Sequence, residues 1–79
     1  MKLQDIYTMA ENWRENDAKR YSVEFYSKVI IDLIDRKQYA KTRYWYKASY
    51  TDGLINWLNA TYPAVIVTRF VIDLIKNIK

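Results

Sequence analysis

The stretch YSVEFYSKVIIDLI, residues 21–34, decides the fold because its apolar side chains recur at the spacing of an α-helix. Side chains three and four positions apart lie on one face of a helix, and here they form a continuous apolar stripe. The stripe consists of Tyr26, Val29, Ile30, Leu33 and Ile34. Asp17 and Ser22 both precede it at a position suitable for an N-cap. The sequence therefore predicts an amphipathic helix that buries this face.

The same ending occurs a second time, since YPAVIVTRFVIDLI, residues 62–75, also closes on Ile-Asp-Leu-Ile. The upstream segments are related too, because YTMAENW at 7–13 resembles YTDGLINW at 50–57 with one residue inserted. Such a repeat suggests two helical hairpins with the same packing, although short apolar helices also resemble one another by chance.

The two aspartates of the repeated ending are predicted to be solvated rather than catalytic. At about 100° per residue, Asp32 and Asp73 both point away from the apolar stripe. Basic neighbours within four positions suit surface ion pairs, with Lys28 for Asp32 and with Arg69 or Lys76 for Asp73.

The remaining helices follow from capping residues and apolar spacing. The first is predicted to begin near Leu3, or alternatively at a capping box that starts at Thr8. A short helix is predicted after Thr51 or Asp52, and Pro63 suits the first turn of the last helix. The inward stripe predicted for that last helix is Ala64, Val67, Val71, Leu74, Ile75 and Ile78.

The fold class predicted from these patterns is all-α, a small bundle of four to five helices arranged as two repeated helical hairpins. One glycine and one proline in 79 residues are too few for the many turns of a β-rich fold. We expect a single domain over 1–79, with one hairpin at about 3–37 and the other at about 51–79. A basic aromatic connector, 38–50, joins them.

Composition argues against an enzyme. The chain has no cysteine and no histidine, which excludes disulfides, thiolate nucleophiles and histidine acid–base catalysis. It also has no glycine-rich phosphate loop and no nucleophile elbow. We therefore expect no catalytic residues, no metal site and no cofactor.

The location expected from sequence is the cytoplasm. No stretch resembles a signal peptide, and the most apolar run, 63–75, is interrupted by Arg69 and Asp73. That run is also too short for a bilayer core of about 30 Å. These observations predict a soluble protein without a transmembrane segment.

The segment RKQYAKTRYWYKASY, residues 36–50, carries the positive charge of the chain. It has five basic residues and no acidic one, whereas the rest of the chain has eight basic and nine acidic residues. Five aromatic residues lie among these charges, and nucleic-acid binding uses both groups: cations neutralise phosphates and aromatic rings stack on bases. The candidate nucleic-acid-binding residues are Arg36, Lys37, Lys41, Arg43, Tyr44, Trp45 and Lys47.

The same segment has structural interpretations. Tyrosine and tryptophan often cover the rim of a small core, and residues 38–50 fit either a helix or a strand, of which we favour the helix. The predicted function is a nucleic-acid-binding accessory or regulatory protein. The alternative is a protein-binding inhibitor or adaptor, of the kind that phages and mobile elements encode, which would bind an acidic protein surface.

A homodimer is predicted from the excess apolar surface near the C-terminus. If the last helix includes Ile66, that residue and Phe70 lie on the side opposite the inward stripe, and Ile72 widens the apolar face. A small chain without disulfides or metal gains missing burial by self-association. These three residues are the predicted oligomer or partner contact.

Overall fold

Four α-helices make up the described part of the chain. The computed structural model describes the backbone of residues 2–43 and 47–78 and the side chains of residues 2–42 and 51–78. The helices are α1 at Leu3–Asn16, α2 at Val23–Arg43, α3 at Lys47–Thr61 and α4 at Arg69–Asn77. No strand occurs in these residues, so the predicted all-α class and the small helical bundle are confirmed.

The chain divides into two compact units, Met1–Asp32 and Leu33–Lys79. The boundary falls inside α2, so this helix contributes residues to both units. The first unit contains α1 and the beginning of α2, and the second contains the remainder of α2 with α3 and α4. The repeated-hairpin arrangement and a fifth helix stay predictions.

In the first unit, α1 and the beginning of α2 share an apolar core. Trp13 of α1 and Tyr26 of α2 are both buried, and their ring centroids lie 5.2 Å apart in a tilted arrangement. Such aromatic pairs contribute about 0.5–1.5 kcal/mol beyond the area they bury. The other buried residues of this unit are Ile6, Ala10, Val29 and Ile30.

A tight turn connects α1 to α2. Ala18 and Lys19 adopt the left-handed backbone region, with φ of 57° and 56°, and the Lys19 amide donates to the Arg14 carbonyl at 2.8 Å. This backbone region favours glycine or asparagine, so hydrogen bonds at the end of α1 must hold the turn. The Arg14 guanidinium adds one by donating from Nε to the Tyr21 carbonyl at 2.8 Å.

The two candidate caps of α2 have different roles. The Ser22 hydroxyl accepts a hydrogen bond from the Phe25 amide at 3.2 Å, so the prediction of Ser22 as the N-cap is confirmed. Asp17 instead ends α1, where its amide donates to the Trp13 carbonyl at 2.8 Å. The side chain of Asp17 accepts a hydrogen bond from the Tyr26 hydroxyl at 2.7 Å, which ties the turn to the core.

In the second unit, α3 packs against α4. The end of α2 contributes the buried residues Leu33 and Ala40. The other buried residues are Leu54, Leu58, Val65, Val71, Leu74, Ile75 and Ile78. All but Ala40 are valine, leucine or isoleucine, and each such side chain contributes about 1.5–3 kcal/mol when fully buried.

Two predicted helix starts are wrong. Helix α3 begins at Lys47, so Thr51 and Asp52 lie within it and do not cap it. Helix α4 begins only at Arg69, and Pro63 lies in a turn that follows α3. The physical reason for the late start is that residues 65–68 are four consecutive β-branched residues, which lose side-chain freedom in a helix.

The repeated Ile-Asp-Leu-Ile is helical in both copies, and its leucines, Leu33 and Leu74, are buried. Asp73 is exposed and pairs with Arg69 at 3.2 Å, as predicted for a solvated position. Asp32 is half-buried. The exposed Arg69–Asp73 pair stabilises α4 only weakly, by a few tenths of a kcal/mol.

The hydrogen bond between Tyr26 and Asp17 generates a prediction. Burial, followed by the hydrogen bond to the Asp17 carboxylate, raises the pKa of Tyr26 to about 12. We expect Tyr26→Phe to lower the free energy of unfolding at pH 7 by about 1 kcal/mol, because Asp17 loses its donor. Urea denaturation followed by circular dichroism measures this difference, and Tyr7→Phe, at an exposed site, serves as the matched control.

The pH dependence of the Tyr26→Phe effect has a definite sign. An unfolded tyrosine ionises near pH 10, whereas Tyr26 in the folded protein stays protonated to about pH 12. The contribution of Tyr26 is therefore fully present below pH 10 and is lost as the pH rises toward 12. The difference between wild type and Tyr26→Phe should shrink over that range; a constant difference would contradict the assignment.

Candidate nucleic-acid-binding segment

The residues predicted to bind nucleic acid lie at the end of α2 and the beginning of α3. Arg36, Lys37 and Lys41 are on the part of α2 that belongs to the second unit. Arg43 ends α2 and Lys47 begins α3, but the side chains of both lie outside the described residues. Tyr44 and Trp45 lie outside them as well. The choice of a helix over a strand is confirmed for residues 38–43 and 47–50.

An exposed cation–π pair lies at the start of the segment. The Arg36 guanidinium carbon lies 4.7 Å from the centroid of the Tyr39 ring, one turn further along α2. Both residues are exposed, and Tyr39 retains 45% of its accessible surface. A guanidinium stacked on a ring at an exposed site stabilises the pair by about 0.5–1 kcal/mol and orders two side chains at the surface.

Backbone contacts position this pair. Ala40 is buried in the core of the second unit, whereas Arg36 and Tyr39, which lie beside it on α2, are exposed. The Thr42 hydroxyl donates to the Tyr39 carbonyl at 2.7 Å, which satisfies an acceptor near the end of α2. Lys41 is exposed.

Lys37 has a structural role that the sequence did not indicate. Its Nζ donates to three carbonyls at the end of α4. The distances are 2.8 Å to Ile75, 2.5 Å to Ile78 and a longer 3.4 Å to Lys76. The last carbonyls of a helix have no intrahelical partner and carry partial negative charge, so an ammonium there stabilises the helix end. Lys37 therefore acts as a C-terminal cap supplied by another helix.

Lys37 is half-buried, whereas its basic neighbour Lys41 is exposed. Burial of the side chain, with a smaller contribution from the charge of Lys41, lowers the pKa of Lys37 from its usual value. Two lysines of one segment thus differ in role, since Lys41 is solvated and Lys37 is half-buried against carbonyls. No sequence signal separates them, because only the packing of α4 near α2 in this unit selects Lys37.

The predicted oligomer contact is only partly exposed. Ile66 lies in the irregular segment before α4 and retains 54% of its accessible surface. Phe70 and Ile72 lie on α4 and are half-buried. Because Ile66 is outside α4, it does not share a helical face with the other two residues, and this part of the prediction is corrected.

Other kinds of site have little support in the described residues. Residues 2–43 and 47–78 contain no cluster of three acidic side chains that could hold a metal ion. Within the part that the structure describes, no helix is both long enough and apolar enough to cross a membrane. Comparison with protein-family models, curated proteins and solved structures finds no match for this chain. Its own geometry is therefore the basis for a functional assignment.

The cap formed by Lys37 generates a prediction. Lys37→Met keeps the aliphatic stem but removes the ammonium, so the carbonyls of Ile75 and Ile78 lose their donor. We expect a loss of about 1–2 kcal/mol in the free energy of unfolding, measured by urea denaturation. We also expect faster amide exchange in the last turn of α4.

The matched control is Lys41→Met, which makes the same change at an exposed position of the same helix. It should alter stability by no more than about 0.5 kcal/mol. Equal effects of the two substitutions would show that the hydrogen bonds from Lys37 to the carbonyls contribute nothing specific.

Proposed function

We propose that this protein is a non-enzymatic nucleic-acid-binding protein that acts through residues 36–50, in an accessory or regulatory role. The observation that carries the proposal is the exposed Arg36–Tyr39 pair. This pair lies at the N-terminal end of residues 36–50, which contain five aromatic residues and no acidic residue. An ordered guanidinium and an accessible aromatic ring together offer one group for a phosphate and another for a base.

The distribution of charge supports phosphate binding. Residues 36–50 contain the whole positive excess of a chain with a net charge of +4. Because Lys37 is engaged by carbonyls of α4, the cations assigned to phosphates are Arg36, Lys41, Arg43 and Lys47. Each neutralised phosphate releases counterions, so the proposed binding is salt-dependent and largely independent of base sequence.

The exposed ring supports a contact with unpaired bases. A base in a duplex presents only its edge, whereas an aromatic side chain stacks on a base face that single strands expose. Tyr39 is held by Arg36 and is still almost half exposed. The proposal therefore favours single-stranded nucleic acid over duplex.

Salt dependence tests the charge contribution. Fluorescence anisotropy with a labelled oligonucleotide, measured from low to moderate salt, should show affinity falling steeply as salt rises. Arg36→Ala combined with Lys41→Ala should reduce the slope of the logarithmic plot by about 0.7 for each single-strand phosphate that is no longer neutralised. The matched control is Lys28→Ala, an exposed lysine on the same helix outside the segment. No binding at low salt would refute the proposal.

Substitutions of Tyr39 test the stacking contribution. Tyr39→Ala should weaken binding to a single-stranded oligonucleotide by about 1–3 kcal/mol, whereas Tyr39→Phe should bind like wild type because its ring still stacks. A duplex of the same sequence should respond little to either change. If both substitutions reduce binding equally, the hydroxyl and not the ring face makes the contact.

A second candidate function is the protein-binding inhibitor or adaptor. It is favoured by Leu3 and Tyr7, which lie one turn apart on α1 and keep 77% and 53% of their accessible surface. Exposed aromatic and aliphatic anchors are typical of protein interfaces. Stoichiometric capture of a protein partner that fails with Leu3→Ser, from protein that does not bind nucleic acid, would favour this function.

A further inference from the structure

One acidic residue lies directly beside the acid-free segment 36–50. Asp35 precedes Arg36 on α2, and its side chain is exposed. The Asp35 carboxylate forms no hydrogen bond or ion pair with any of the described residues. A carboxylate at this place repels phosphates but accepts hydrogen bonds from bases, which carry no net charge. Its contribution to binding therefore depends on which group of a nucleic acid it meets.

Helix geometry places Asp35 and Arg36 on opposite sides of Tyr39. At about 100° per residue, Arg36 lies about 60° from Tyr39 in one direction around α2, and Asp35 lies about 40° from it in the other. Aromatic side chains of a helix lean toward its N-terminus, over the residues three and four positions earlier. The Arg36 guanidinium carbon, 4.7 Å from the ring centroid, shows that Tyr39 leans in this direction. Arg36 and Asp35 therefore flank the ring.

A base that stacks on Tyr39 comes within reach of Asp35. The Tyr39 side chain keeps 45% of its accessible surface. Residues four positions apart on a helix have Cβ atoms about 5–6 Å from each other. Offset-stacked rings have centroids about 4.5–7 Å apart. Because these two distances are similar, one edge of a stacked base lies within hydrogen-bonding range of the Asp35 carboxylate.

Guanine is the base whose exposed edge best fits a carboxylate. An ionised carboxylate only accepts hydrogen bonds, and its two oxygens can accept two in parallel. The Watson–Crick edge of guanine carries two neighbouring donors, N1–H and the N2 amine. Adenine and cytosine present one donor beside an acceptor, and thymine presents one donor between two carbonyls. Unpaired bases expose this edge, whereas base pairing occupies it in a duplex.

We propose that Asp35 and Tyr39 bind one unpaired guanine. The ring stacks on the face of the base, and the carboxylate accepts hydrogen bonds from N1–H and the N2 amine. This inference rests on the proposed nucleic-acid-binding function and adds a base preference to it, since the phosphate contacts of Arg36 and Lys41 carry no sequence information. The favoured ligand is a single strand or loop that contains guanine.

Oligothymidylates of about ten nucleotides that differ in one central base test this preference. The central base is guanine, hypoxanthine, adenine or thymine, and fluorescence anisotropy at low salt gives each dissociation constant. Wild type should bind the guanine strand at least about fivefold more tightly than the adenine or thymine strand, because a bidentate contact discriminates by this factor or more. Hypoxanthine lacks the N2 amine, so its strand should bind with intermediate affinity.

Asp35→Asn separates hydrogen bonding from charge. The amide keeps the size of the side chain but replaces one acceptor with a donor, so the guanine preference should disappear. If Asp35 acted only through its charge, the substitution would instead strengthen binding to all four strands by one common factor. The matched control is Asp52→Asn, which removes an exposed carboxylate from the same unit and should leave the preference intact. Helix content by circular dichroism confirms that each variant is folded.

The outcomes distinguish this inference from the function on which it rests. Equal binding of the four strands by wild type would overturn the guanine site and leave the proposed function standing. A guanine preference that survives Asp35→Asn, or equal affinity for the guanine and hypoxanthine strands, would do the same. Absence of binding to every strand at low salt would overturn the proposed function as well.

Discussion

The apolar face of α2 is the constraint on which the rest of the structure depends. Its first part places Tyr26, Val29 and Ile30 in the core of the unit Met1–Asp32, and its second part places Leu33 and Ala40 in the core of the unit Leu33–Lys79. A chain of this length buries only about 60% of the surface that it exposes when unfolded. Loss of either part of this face would therefore remove a large share of the stability of one unit.

The end of α2 carries buried and exposed residues next to each other. Ala40 is packed inward, whereas Arg36 and Tyr39 lie at the surface beside it, with the guanidinium over the ring. The basic segment is consequently divided between two roles. Most of its described cations face solvent, whereas Lys37 satisfies carbonyls at the end of α4. A positive segment of this kind serves both as a surface for anions and as part of the fold.

The segment between α3 and α4 shows local preference prevailing over an apparent repeat. Residues 21–34 and 62–75 end in the same tetrapeptide, yet α2 begins at Val23 and α4 only at Arg69. The second copy carries β-branched residues at 65–68, where the first carries Glu24, a good helix former, followed by three residues that are not β-branched. No helix forms at residues 64–68, where Val65 is buried and Ile66 and Thr68 are exposed.

Sequence periodicity by itself determined the all-α class, the stripe of α2 and the solvated position of Asp73, because these depend on residues within four positions of each other. The sequence also located the basic aromatic segment, because the number of basic and acidic residues in 36–50 can be read without any structure. The tertiary structure decided what depends on distant residues. It placed the Tyr26 hydroxyl on Asp17, the Lys37 ammonium on the end of α4, and Ile66 outside α4 at the surface. Those contacts join residues nine or more positions apart or follow from packing against a core, and helical spacing carries no information about either.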